Sequence, residues 1–148
     1  MQVGKVLVTT DFSEAANAAI GVAHGFAERF GASLSLLHVH EPAPTLQERL
    51  LPKGSVRHAD AKAHAESRLA ALASKLGLEN VALHVVMDPS PIEGILKHVD
   101  AESVDVVVMA THGHTALERL LVGSVTERVV RHAPCAVLTV KPGRRPLG

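Results

Sequence analysis

Apolar positions along the chain follow two alternating spacings. Short runs rich in β-branched residues, over 3–9, 33–40, 81–87, 104–109 and 135–140, have the length and content of strands. Between them, apolar residues recur every three or four positions, as on one face of a helix. The first such stretch runs from Glu14 to Phe30 through Ala15, Ala19, Val22, Ala23, Phe26, Ala27 and Phe30. Turn and cap chemistry at Asp11-Phe12-Ser13 precedes it and Gly31 stops it. A long alanine-rich helix is predicted over 56–76, with Ala63, Leu69, Leu72, Ala73 and Leu76 on one side and Gly77 at its end. A short one over 92–99 turns Ile92, Ile95, Leu96 and Val99 inward, and a fourth runs from Val125 to His132, with Pro134 marking the exit. Residues 41–54, with three prolines, read as a crossover loop.

Five strands alternating with four helices predict a single α/β domain, residues 1–142, followed by a tail over 143–148. Its core is an open five-stranded parallel sheet with helices on both faces. Flavodoxin-like and Rossmann-like windings both fit, and in either a ligand binds beyond the carboxyl ends of the strands where the strand order reverses. Spacing alone does not give that order. If strands one and four are the neighbours at the reversal, Thr9-Thr10-Asp11 and the segment Ala110 to Gly113 face one crevice.

The segment 104–130 carries the most chemistry. Val104, Val106, Val107, Val108 and Met109 form a run suited to burial on both faces of a parallel sheet. The loop Ala110-Thr111-His112-Gly113 breaks it, and Ser124 with Glu127 three residues on has the form of a capping box, which predicts Ser124 as N-cap of the last helix. A strand, a glycine loop and a helix start together make an anion site, because backbone N–H groups at a helix N-terminus have no intrahelical partner and carry partial positive charge. The Ser124 hydroxyl can cap the helix or donate to a phosphate. Asp11 can close an Asx turn, cap a helix or ligate at the end of strand one.

Composition removes several classes of partner. Of the 148 residues, Lys plus Arg and Asp plus Glu number 15 each, so no overall field draws nucleic acid or anionic lipid. With no Trp or Tyr and three Phe, there is little from which to build a stacking platform for single strands. No membrane partner is expected either, since no stretch approaches about 18 continuous apolar residues. The single Cys135 rules out an intrachain disulfide and fits a reducing, cytoplasmic setting as a small packed hydrophobe. Among ten histidines, His38 with His40 and His112 with His114 are the candidate metal pairs. Neither has the further ligands at fixed spacing that zinc requires.

These residues resemble the universal stress protein family over 1–141. Its nucleotide-binding members carry Gly, two residues, Gly, nine residues, then Gly-Ser. Here Gly113 is followed by nine residues, His114 to Val122, and then Gly123-Ser124, with Ala110 in place of the opening glycine. Thr9-Thr10-Asp11-Phe12-Ser13 is similar to the family's strand-one signature and Leu37-His38-Val39 to its strand-two end. The resemblance implies the sheet order 3-2-1-4-5 and a site for ATP with Mg²⁺. Carried across by motif, Ala110, Gly113, His114, Thr115, Gly123, Ser124, Val125 and Thr126 meet the phosphates. Thr9, Asp11 and Val39 meet the nucleoside, Met109 the base, and Asp11 the metal. His114 stands where many members have Arg or Lys, so at neutral pH an imidazole balances phosphate charge there less fully than a permanent cation would.

In that order strand five is an edge with no inward charge and no mid-strand proline, which predicts a homodimer through residues 136–140. The expected function is a nucleotide-responsive stress module. The loop lacks a P-loop lysine, a carboxylate pair and an arginine finger, so turnover, if any, is slow. The rival readings are an interaction dimer that holds no nucleotide and a slow Mg²⁺-dependent ATP hydrolase using Asp11.

Overall fold

The apolar runs become the five strands of a parallel sheet, and the periodic stretches become helices laid on both of its faces. The computed structural model describes residues 2–42, 50, 56–111 and 122–143. The elements run β1 (Lys5–Thr9), α1 (Glu14–Phe30), β2 (Ser33–His40), α2 (Val56–Lys75), β3 (Ala82–Met87), α3 (Pro91–Glu102), β4 (Val106–Ala110), α4 (Ser124–His132) and β5 (Ala136–Val140). The strand order is β3-β2-β1-β4-β5, as expected, with β3 and β5 at the edges.

Alternation along each strand divides the core in two. Val6, Val8, Leu34, Leu36, Val106 and Val108 point to one face and pack against Ala19, Ile20 and Ala23 of α1 and Ala65 and Leu69 of α2. Leu7, Leu37, Val107 and Met109 point to the other and meet Ile95 and Val99 of α3 and Val129 of α4. Both faces of β1 and β4 are therefore dry, which is why their sequences read as continuous apolar runs.

The helix ends follow their capping chemistry. At α1 the Ser13 hydroxyl accepts from the Ala16 N–H at 3.2 Å, and Gly31 takes the left-handed conformation at φ 63°. α3 begins at Ser90, whose hydroxyl accepts from the Glu93 N–H at 3.3 Å, with Pro91 at the first helical position. It runs past the expected end at Val99 to Glu102, and Ser103 closes it at φ 53°. The last turn contributes no apolar residue to the periodic stripe, so the pattern could not extend that far.

One side chain aligns the starts of the two central strands. The Asp105 carboxylate accepts from both the Gly4 and Lys5 N–H groups at 2.8 Å, and these two bonds hold its pKa below the ordinary carboxylate value. Val6, Leu7 and Val8 then pair with Val106, Val107 and Val108. That register brings the carboxyl ends of β1 and β4 level at the point where strand order reverses.

The expected loop 41–54, the glycine-loop residues 112–121 and the tail 144–148 lie largely or wholly outside the described residues.

Candidate functional site

At the end of β1 the chain turns sharply and is tied to its neighbours. The Thr10 N–H donates to the Leu37 carbonyl at 2.9 Å, keeping the turn attached to β2. Asp11 Oδ1 accepts from the Ser13 N–H at 3.0 Å and from the Ser13 hydroxyl at 2.5 Å, an Asx turn that also orients the cap of α1. Phe12 sits at φ 66°, a conformation that costs an L-residue roughly 1 kcal/mol or more. Its N–H donates to Thr10 Oγ1 at 3.0 Å, and its ring lies 4.5 Å from His38 and 4.1 Å beneath the Arg68 guanidinium. These contacts hold the strained residue and with it the placement of Asp11.

His38 completes the support. Its Nδ1 lies 2.8 Å from the Thr10 carbonyl, which can only accept, so neutral His38 carries its proton on Nδ1. Burial pushes its pKa below the ordinary imidazole value. The Thr10 bond and Asp11 oppose that shift, while His40 and Arg68 add to it. His38 and His40 share the strand face the alternation predicts, with ring centroids 6.1 Å apart.

The other wall is the junction of β4 with α4. The Thr111 N–H donates to the Val140 carbonyl at 2.9 Å, and the Thr111 carbonyl accepts from the Gly123 N–H at 2.5 Å. A Cβ on Gly123 would stand 3.0 Å from that carbonyl oxygen. At φ −65° this glycine is required by close approach of backbone to backbone, not by its torsion angles. Thr126, 5% exposed, donates its hydroxyl to the Ala110 carbonyl at 2.8 Å. The start of α4 is thus fastened to the end of β4 at two places.

This fastening corrects the expected cap. Gly123, not Ser124, is the N-cap of α4, and no side chain caps the helix. Clamping of Gly123 to Thr111 sets the helix start one residue earlier than the capping box predicts. Ser124 becomes the first helical residue, and Glu127 pairs with Arg131 at 3.1 Å instead of reaching back. The first intrahelical bond runs from the Glu127 N–H to the Gly123 carbonyl at 2.9 Å. The N–H groups of Ser124, Val125 and Thr126 precede it, at the positive end of the helix dipole.

The two walls enclose a cleft of about 340 Å³. Of the sequence-derived candidates, Thr9, Asp11, Val39, Met109, Ala110, Gly123, Ser124, Val125 and Thr126 all line it. Gly113, His114 and Thr115 lie outside the described residues. Glu41 and Pro91 also line the cleft, as do Leu37 near the end of β2 and Ile95 on the inner face of α3. Leu37, Val39, Pro91, Ile95 and Met109 supply apolar surface. Asp11, Glu41, Thr9 and the start of α4 supply polar groups. Among the described lining residues there is no lysine or arginine, so their positive potential comes from backbone N–H groups.

Cys135 is half-buried outside this cleft and packs against the α3 and α4 core. Burial pushes its thiol pKa up, which suits packing and not nucleophilic chemistry. No group of three or more His, Cys, Asp or Glu side chains is assembled for a metal among the described residues. None of the described helices is long and apolar enough to cross a membrane.

Comparison with known proteins agrees with this architecture. The family model described as Universal stress protein family matches residues 2–141. The universal stress protein in the QAH/OAS sulfhydrylase 3' region of Thermus aquaticus is 32% identical over 137 residues, covering 92% of this chain and 97% of that protein. The solved structure of universal stress protein UspA from Lactobacillus plantarum superposes with a TM-score of 0.79 at 27% identity, covering 95% of this chain and 99% of the other. A universal stress protein solved in complex with cAMP shares the fold at TM-score 0.68 and 20% identity, covering 95% and 98% of the two chains. With a whole-length family match, the expected sheet order and the expected strand ends around one cleft, this chain belongs to the universal stress protein family.

Proposed function

We propose that this protein is a stress-response module that binds ATP in the cleft between the carboxyl ends of β1 and β4. The observation that carries the reading is the start of α4. Its first three residues line the cleft with no side-chain cap, and hydrogen bonds to Ala110 at the end of β4 and to Thr111 just after it hold them in place. Such a terminus receives phosphate oxygens without a lysine. In this reading Ser124, Val125 and Thr126 donate their N–H groups to the phosphates, joined by the loop residues Ala110, Gly113, His114 and Thr115. Thr9 and Asp11 lie at the ribose. Val39 and Met109 flank the base, on the apolar side of the cleft. The universal stress protein bound to cAMP supports the reading only in that this fold accommodates an adenine nucleotide.

Mg²⁺ fits the residues present. Asp11 and Glu41 are hard oxygen donors on the same cleft, and Mg²⁺ is commonly held by one or two carboxylates together with substrate phosphates. Asp11 is the residue we assign to it. The ion would neutralise phosphate charge beside those carboxylates. The described lining has no lysine or arginine to stabilise the charge of a transferring phosphoryl group, which supports holding nucleotide over rapid turnover. β5, an edge strand, completes the picture as the surface through which two copies pair in the cytoplasm.

The test is to denature freshly purified protein and look for released adenine nucleotide by chromatography, with a thermal-shift titration of ATP alongside. Released nucleotide or a concentration-dependent rise in Tm supports the proposal. Neither effect would leave the interaction dimer as the working account.

A further inference from the structure

A glycine in the first turns of α3 has no conformational reason to be there. Gly94 is buried, helical, and donates its N–H to the Ser90 carbonyl at 3.0 Å, so alanine would serve the helix better. What excludes alanine is Val39. A Cβ on Gly94 would stand 2.7 Å from Val39 Cγ1, 3.0 Å from Val39 Cγ2 and 3.2 Å from the Asp88 Cβ. Both methyls of Val39 are seated in the notch left by the missing side chain. The notch has little give. Asp88 is tied on one side to the His40 carbonyl through its N–H at 3.1 Å, and on the other to the Ser90 N–H through its carboxylate at 2.8 Å. Val39, being β-branched, has few rotamers to move to. It lines the cleft.

We infer that Gly94 is a positioning residue for the base-binding side of the cleft: by accepting the Val39 methyls it keeps that wall against α3 and sets the room available to a planar purine. This rests on the nucleotide reading above. A methyl group added at 94 drives the Val39 side chain, or the end of β2, toward the cleft. Phosphate binding at α4 is untouched, because α3 supplies only Pro91 and Ile95 to the lining.

The experiment compares binding of ATP with that of inorganic tripolyphosphate, which has no base, in four proteins: wild type, Gly94→Ala, Val39→Ala and the double variant. Overpacking of this kind should weaken ATP by about tenfold or more in Gly94→Ala and leave tripolyphosphate within about twofold. In the Val39→Ala background, where the clashing methyls are gone, Gly94→Ala should cost nothing further, a non-additivity that simple helix destabilisation would not produce. Val39 methyl resonances in the unliganded protein should also shift on Gly94→Ala. Should Gly94→Ala fail to fold, Val39→Ile enlarges the same contact from the strand side and should show the same selective loss. Equal losses for both ligands, a loss that persists without the Val39 methyls, or Val39 resonances that do not move would each overturn the inference while leaving the nucleotide reading intact. Wild-type protein that binds no ATP would overturn both.

Discussion

The hydroxyl of Thr126 reaches back sixteen residues to the carbonyl of Ala110 at 2.8 Å, fastening the first turn of α4 to the last residue of β4. Ala110 ends β4 and lines the cleft. Its carbonyl is held in a part-buried hydrogen bond at the cleft.

Thr126→Val keeps the shape and removes the donor. The Ala110 carbonyl is left without it in a partly buried setting, so unfolding free energy should fall by about 0.5–1.5 kcal/mol. Urea unfolding measures this directly. ATP affinity should fall with it, since the start of α4 loses one of its two fastenings.

Gly123→Val places a branched side chain where even a Cβ lies 3.0 Å from the Thr111 carbonyl oxygen. The backbone clamp must open, and the N–H groups of Ser124, Val125 and Thr126 lose their setting. ATP binding should weaken by about tenfold or more in calorimetry, with the far-ultraviolet dichroism of the sheet and remaining helices preserved. Unchanged affinity would mean that the clamp does not organise the site.

Stability should decline on mild acidification. Burial lowers the pKa of His38, which faces His40, Arg68, Asp11 and the Thr10 carbonyl, and of His98, which faces His84 and Glu102. Both folded-state values lie below the unfolded one, so as pH falls below about 6.5 the unfolded chain takes up protons first. The contribution is complete above that pH and is lost progressively down to the folded pKa values. Tm should therefore drop between pH 7.5 and 5.5, and His98→Leu should flatten the slope. A pH-independent Tm over that range would contradict the assignment.

Pairing of two copies through β5 predicts a dimer in sedimentation at micromolar concentration. Ala136 and Thr139 are exposed on this edge strand. Replacing both with glutamate puts like charges at the junction and should yield monomers without loss of Tm beyond that due to dissociation. A monomeric wild type at that concentration would sink the pairing.

Much of the fold was legible because its punctuation is chemical. Ser13 and Gly31 bound α1 at the residues the pattern marks, and the β-branched runs locate every strand to within two residues. The strand ends around the cleft followed from topology, since Thr9, Asp11 and Ala110 meet only if β1 and β4 are neighbours. Other features depend on tertiary contacts that leave no trace in spacing. Ser124 with Glu127 satisfies the capping-box pattern, yet the Gly123 clamp to Thr111 moves the helix start. Glu41 and Pro91 reach the cleft from a loop and a helix start with no motif of their own. Gly94 reads as a weak point in a helix until Val39 is seen in its notch.

The account's central claim, that the start of α4 receives the phosphates, is tested most directly by the backbone amide resonances of Ser124, Val125 and Thr126. On titration with ATP and Mg²⁺ these three should shift strongly downfield and saturate together, as N–H groups newly bonded to phosphate oxygens do. Resonances of these amides that stay in place while ATP is added to excess would contradict it.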